Sequence, residues 1–331
     1  MVSLVLAVLA IGQSQTFNIG SVDIFGQTGL DEKKIRAVII IHAGQKLSLD
    51  QLTKSRSTTL ANLKKLLGKP ATDFNLVSYD IHGKWMIFVG VPGPTVKPPA
   101  TYAPPTGTEK LIGVGLTLYK SLMDRIGQVT GDGAREDDSK GYALNVDPQM
   151  NAIQVRMRAY ALSHEENITQ VAQNSGSVDQ RQAATMLLGY AKRSREQLNN
   201  LVQLVADPDE TVRNNAMRAL VVIAHSDKNV SKMFDPTPIV DLLSSGGWTD
   251  RNKSTWLLEA LTQGRNPELL ALIKKEALPS LIEVAHWTNP PHAASARYIL
   301  GRVAGIEESQ LNQLVQKGDV KTILSALNSL G

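Results

Sequence analysis

The sequence predicts a small α+β domain followed by an all-α helical solenoid, and three observations carry that reading. A period-2 segment, two helical stretches and two adjacent apolar runs occupy residues 17–91. Six of the fifteen prolines then crowd into residues 91–110. Beyond them, a triplet of arginine, small residue and leucine recurs at fixed spacing. Composition agrees with this order. Only 5% of the 331 residues are aromatic, while Ala and Leu are frequent, which favours packed helices over a β-sandwich. The length exceeds the usual size of one domain.

Charge and cysteine content narrow the function. Residues 1–110 hold 12 Lys/Arg and 7 Asp/Glu, a net +5; the rest hold 23 and 24, a net −1. The imbalance is mild and no basic run with interleaved aromatics occurs, so nucleic acid is not an expected partner. The absence of cysteine excludes disulfides, a thiol nucleophile and thiolate metal sites.

The first element is "MVSLVLAVLAIGQSQ", an apolar run too short to span a bilayer, followed by small and polar residues. It reads as a signal peptide over 1–15, cut after Ala10 or Ser14. The competing reading is a buried first strand; against it, a separate strand pattern begins at Phe17. Export to the periplasm or medium follows. No other segment reaches about 18 apolar residues, so no membrane insertion is expected after signal cleavage.

Residues 16–91 follow as a compact domain. "FNIGSVDIFG" places Ile19, Val22 and Ile24 among polar neighbours, as in a strand. "DEKKIRAVIII" has helical composition with an acid at its start. Gly44 marks a turn, and Ser48 with Gln51 makes a capping box for a helix carrying Leu49, Leu52, Leu60, Leu63 and Leu67. "FNLVSYDIHGKWMIFVGV" then reads as a hairpin about His82-Gly83-Lys84. The order is β-α-α-β-β. With "IGSVDIFGQTGLDEKKI", "AGQKLSLDQL" and the closing hairpin, this segment resembles a POTRA (polypeptide-transport-associated) domain. The resemblance implies polypeptide binding by strand addition to an exposed sheet edge. It places that edge on the second strand in sequence, around Leu76–Ile81, with Val77, Ser78 and Tyr79 as candidate docking residues.

Residues 92–107 are too rich in proline for a helix or a ladder and read as a stiff, extended linker. A second reading, a proline-rich ligand for another domain, is suggested by Lys97 and Tyr102. "GDGAREDDSKG" at 131–141 lacks calcium-loop spacing, because Ala134 falls where the second ligand belongs, and reads as a solvated loop.

The helical domain is assigned to 108–331. The triplet is Arg181, Ala184, Leu188; then Arg213, Ala216, Leu220; then Arg251, Ser254, Leu258; and, degenerate, Ala293, Ala296, Leu300. Preceding helices keep step. Leu201 and Leu204, Ile239 and Leu242, and Leu281 and Val284 each lie 12 and 9 residues before the first member of the next triplet. Ile168 and Val171 are displaced by one. In "DPDETVRNNAMRAL", Asp207 reads as the helix cap and Pro208 as its first residue. The pattern resembles HEAT repeats over about 165–303, with helical flanks at 108–127, 147–163 and 307–329. As a whole, the chain resembles secreted bacterial HEAT-repeat proteins with an N-terminal POTRA-like domain.

Chemistry-bearing patterns are scarce. The six histidines are dispersed, and no HExxH, P-loop, GxGxxG or GxSxG pattern occurs. The expectation is therefore a non-enzymatic scaffold for protein or peptide partners, with no catalytic residues, metal or cofactor. The alternative is an enzyme or cofactor handler on a helical array, by analogy with HEAT-like lyases. One edge stands out as a candidate partner-binding ridge: Arg213, Asn214, Trp248, Asp250, Arg251, Asn252, Trp287 and Asn289 all sit at starts of second helices. The competing reading there is that the tryptophans pack in the interior.

Overall fold

The structure, a computed structural model, describes residues 16–79, 84–128, 135–227 and 230–329. The expected signal peptide and the His82-Gly83 turn lie outside the described residues. The chain divides into two compact units. The first contains 99–242 and 256–269; the second contains the described residues up to Pro98, 243–255, and those from Leu270 onward. The chain passes from one to the other between Pro98 and Pro99, inside the expected linker. The expected linear split into a sheet domain at 16–91 and a helical domain at 108–331 does not match this partition. The C-terminal helices belong to the same unit as the sheet.

In the second unit the order is β1 (Thr16–Phe25), α1 (Glu32–Val38), β2 (Lys46–Ser48), α2 (Leu49–Leu67), β3 (Asp73–Tyr79) and β4 (Lys84–Gly90). The sheet order is β2-β1-β4-β3, with β1 parallel to β4 and the other pairs antiparallel. Only the three-residue β2 is additional to the expected β-α-α-β-β order. A register shift between Ile19 and Ser21 explains the imperfect alternation of β1. The bulge resets the face, so Phe17 and Ile19 before it and Val22 and Ile24 after it all join one core with Ile35 and Leu63. Asp31 caps α1 by accepting from the Lys34 N–H. The helix stops at Val38, and Ile39 to Ile41 run on outside it, as β-branched residues favour. α2 has the expected capping box and ends at Gly68, whose φ of 69° suits glycine.

The same unit holds the first half of α10 (Trp248–Thr262), most of α11 (Pro267–Glu276), α12 (Leu278–Ala285), α13 (Pro290–Val303), α14 (Glu308–Lys317) and α15 (Val320–Asn328). The flank expected over 307–329 is therefore two helices, broken at Gly318, where φ is also 69°.

The first unit contains α3 (Gly115–Ile126), a small ribbon of β5 (Glu136–Asp137) and β6 (Leu144–Asn145), α4 (Pro148–Ser163), α5 (Glu165–Asn174), α6 (Val178–Leu188), α7 (Arg195–Leu204), α8 (Glu210–Ser226) and α9 (Thr237–Leu242). The repeat positions Ala184, Leu188, Ala216 and Leu220 are buried, as are Leu201 and Leu204 on the preceding helix. A small side chain at the first of these offsets lets two helices approach closely. α8 begins two residues later than expected. Its cap is Asp209, which accepts from the Val212 N–H, and Asp207 is spent elsewhere. The described part of the expected solvated loop is docked: Glu136 pairs with Arg218, and Asp138 meets His225 at 2.7 Å.

Candidate functional site

The repeat arginine is a structural latch. Arg181 Nη1 donates to the Ser175 carbonyl, Arg213 Nη1 to the Asp207 carbonyl and Arg251 Nε to the Ser245 carbonyl. Each acceptor lies six residues before its arginine, so the side chain ties the turn to the helix it starts. All three arginines are buried. In the first unit Arg181 also grips Asp207 through Nε and Nη2, at 3.0 and 3.2 Å. In the second, Arg251 meets Glu283 at 2.8 Å. Buried charges need such partners, because desolvation otherwise outweighs any gain.

The candidate ridge is interior rather than an exposed edge. Trp248, Asp250, Arg251, Asn252 and Trp287 are at most 2% exposed, and Asn289 is also buried. In the second unit the indoles cover the face of the sheet opposite α1 and α2. Phe88 lies 4.9 Å from both Trp248 and Trp287, and Phe25 lies 6.4 Å from Trp287, centroid to centroid. Asp250 accepts from the Ser245 hydroxyl, and Asn289 caps α13 by accepting from the His292 N–H. In the first unit Arg213 is buried and Asn214 half-buried. The tryptophans thus pack, but against a β-sheet instead of between repeats.

Polar side chains fix that sheet face. Glu283 accepts from the Gly26 and Thr28 N–H groups, each at 2.7 Å, as well as from the Thr28 hydroxyl and Arg251. Asp23 accepts from the N–H and hydroxyl of Thr288, and Asp73 from the Trp248 N–H. Burial raises both aspartates above the usual carboxylate range, with these hydrogen bonds opposing it. Sequence reasoning missed Glu283, whose signal was an acid between Leu281 and Val284 on an otherwise apolar helix.

His292 belongs to the same layer. Its Nδ1 lies 2.9 Å from Asn252 Oδ1, and its ring meets Phe88 and Trp248 edge-on. Burial, helped by the Lys253 charge, depresses its pKa to about 3. The folded protein therefore keeps His292 neutral, while the unfolded chain takes up a proton near the ordinary value of 6.5. Stability should fall as pH drops below that value. Between pH 6.5 and 5 the loss should reach about 2 kcal/mol, at about 1.4 kcal/mol per unit. The raised Asp23 and Asp73 act with the opposite sign, on the approach to the carboxylate range. Denaturant titrations at pH 7 and 5 check this. Equal pH dependence in His292→Gln and the wild type would refute it.

The strand-addition residues stand differently. β3 is the outer strand of the sheet, and its inner neighbour pairs Val77 with Met86, Ser78 with Trp85 and Tyr79 with Lys84. The Val77 side chain is buried. Among the described residues no further strand lies beyond β3, and no group of three His, Asp or Glu is placed to hold a metal ion.

No known protein family and no curated protein matches the chain. Among solved structures it is similar to a designed armadillo repeat protein in complex with the peptide (KR)4, at 14% identity and a TM-score of 0.39, covering 64% of this chain and 91% of that one. The helical part is a repeat array. Its repeated offsets within this chain are buried where successive helices pack. Among the described residues no helix is long and apolar enough to cross a membrane.

Proposed function

We propose that the protein is a non-enzymatic scaffold of the cell envelope that holds polypeptide partners by strand addition to β3 of a POTRA-like sheet. The single supporting observation is the position of β3 at the rim of the sheet order β2-β1-β4-β3. Such a rim offers unpaired backbone donors and acceptors to an extended segment. Burial of the tryptophan ridge removes the rival surface. Alternate residues of an antiparallel edge strand direct their N–H groups inward and outward. One of Val77 and Ser78 is therefore the outward donor.

Proline at the outward position removes a docking bond without removing a ladder bond. Of Val77→Pro and Ser78→Pro, the one that keeps the wild-type circular dichroism should lose at least about tenfold of partner capture from envelope extract, equivalent to 1.4 kcal/mol or more. Undiminished capture by a folded proline variant at both positions would refute strand addition at β3. Truncation is a poor substitute, because residues 108–331 alone would bare the indoles that the sheet covers.

A further inference from the structure

The proline-rich segment does not behave as a spacer. In the first unit the Tyr102 N–H donates to the Ala206 carbonyl at 3.1 Å, and the Gly107 N–H to the Asn174 carbonyl at 2.9 Å. In the second unit the Lys97 N–H donates to the Ser244 carbonyl at 2.9 Å. The donors are five residues apart. The acceptors Asn174, Ala206 and Ser244 each lie seven residues before a repeat arginine, at Arg181, Arg213 and Arg251. Every one of these turns therefore splits two successive carbonyls: one goes inward to the arginine, the other outward to the segment. One more step of five falls on Pro92, which has no N–H, and the matching fourth repeat has Ala293 in place of arginine. Both series end together.

Side-chain contacts in the first unit add one specific anchor. The Tyr102 hydroxyl donates to Asp207 Oδ2 at 2.6 Å, on the carboxylate that Arg181 already holds. Gly107 closes a second backbone bond, accepting from the Gly176 N–H at 2.8 Å. Meanwhile Thr101, Ala103, Pro104, Thr106 and Thr108 are exposed, so the segment lies on the surface with one side in contact. This is how an extended ligand sits: backbone rungs for affinity and an alternate side chain for selection.

We propose that the repeat turns at Asn174–Gly176 and Ala206–Asp207 form a binding site for an extended, tyrosine-bearing peptide, occupied in this structure by the chain's own residues 99–110. The outward carbonyls supply the rungs, and the Asp207–Arg181 pair selects a phenolic hydroxyl five residues ahead of a glycine. The site is separate from β3 and stands or falls without it.

The test uses the full chain and a fluorescein-labelled peptide of residues 99–112, PATYAPPTGTEKLI. Tyr102→Pro removes one rung and the hydroxyl. Gly107→Ala places a Cβ 2.5 Å from the Asn174 carbonyl oxygen. The double variant should release the segment, seen as faster amide exchange over 99–110. It should then bind the peptide roughly tenfold or more tightly than the wild type, whose site is filled. The same peptide with phenylalanine for tyrosine should bind more weakly. Tyr102→Phe, which keeps every rung, serves as the gentler variant should the double one unfold, and should show the same gain in smaller measure. A folded variant whose segment exchanges fast yet gains no peptide affinity overturns the proposal. So does unchanged exchange protection over 99–110, because the rungs then do not hold the segment.

Discussion

Replacing Glu283 with alanine should destabilise the protein by about 3–5 kcal/mol, the cost of leaving a buried charge and its donors without a partner. Four donors converge on this carboxylate: the Gly26 and Thr28 N–H groups, the Thr28 hydroxyl and Arg251 Nη1. Arg251 is fully buried, and once the acid is gone its Nε still donates to the Ser245 carbonyl while its Nη1 loses the Glu283 acceptor. Two backbone N–H groups at the end of β1 lose their acceptor at the same time, and each such loss in the interior is costly. Glu276→Ala is the control, because that carboxylate pairs on the surface with Lys275, whose side chain is 79% exposed. Urea unfolding of the two variants separates them. A loss under 1 kcal/mol at Glu283, or parity with Glu276→Ala, would show that the β1 end is not anchored through this residue.

The repeat register was legible in the sequence, because it is written in side chains. An arginine, a small residue and a leucine hold fixed offsets where helices meet, and those offsets are the buried ones. The order of elements around the sheet was legible for the same reason: Ser48 and Gln51 signal their cap directly, and the bulge after Ile19 left its trace as a skipped residue in the alternation. The second face of the sheet was not. Ser21 and Asp23 look solvent-facing in a strand, and nothing local says that Thr288 will satisfy Asp23. A ridge built from Trp248 and Trp287 then seems free, since its cover comes from residues more than 150 positions away. Asp207 was misread for a related reason. Any Asp before a proline resembles a helix cap, and only the fold shows that Arg181 and Tyr102 claim it. The rungs under residues 97–107 were hidden most completely, because backbone-to-backbone contacts leave no signature in residue type. Lys97 and Tyr102 stood out as ligand-like, but their acceptors did not.

Phe88→Ala should be as damaging as the loss of Glu283, through packing instead of charge. Phe88 sits on β4, an inner strand, fully buried, and its ring is the meeting point of Trp248, Trp287 and His292. Truncating a buried phenylalanine costs about 3–5 kcal/mol, and a strand fixed on both sides relaxes little to close the cavity. The stacked geometry with Trp248, 4.9 Å at 26°, should add a pairwise term of about 0.5–1.5 kcal/mol. A double-mutant cycle of Phe88→Ala with Trp248→Ala isolates that term from burial. Two readouts report different things. Denaturant midpoints give the total loss, and tryptophan emission reports whether the indoles come into contact with water while the circular dichroism stays native. The expected result is a red shift in Phe88→Ala that is absent in Ile87→Ala, whose side chain points to the α1–α2 core instead. A midpoint unchanged to within 1 kcal/mol, or identical emission in the two variants, would mean that the sheet does not rest on the indoles. The tryptophan ridge would then return as the candidate surface for a partner.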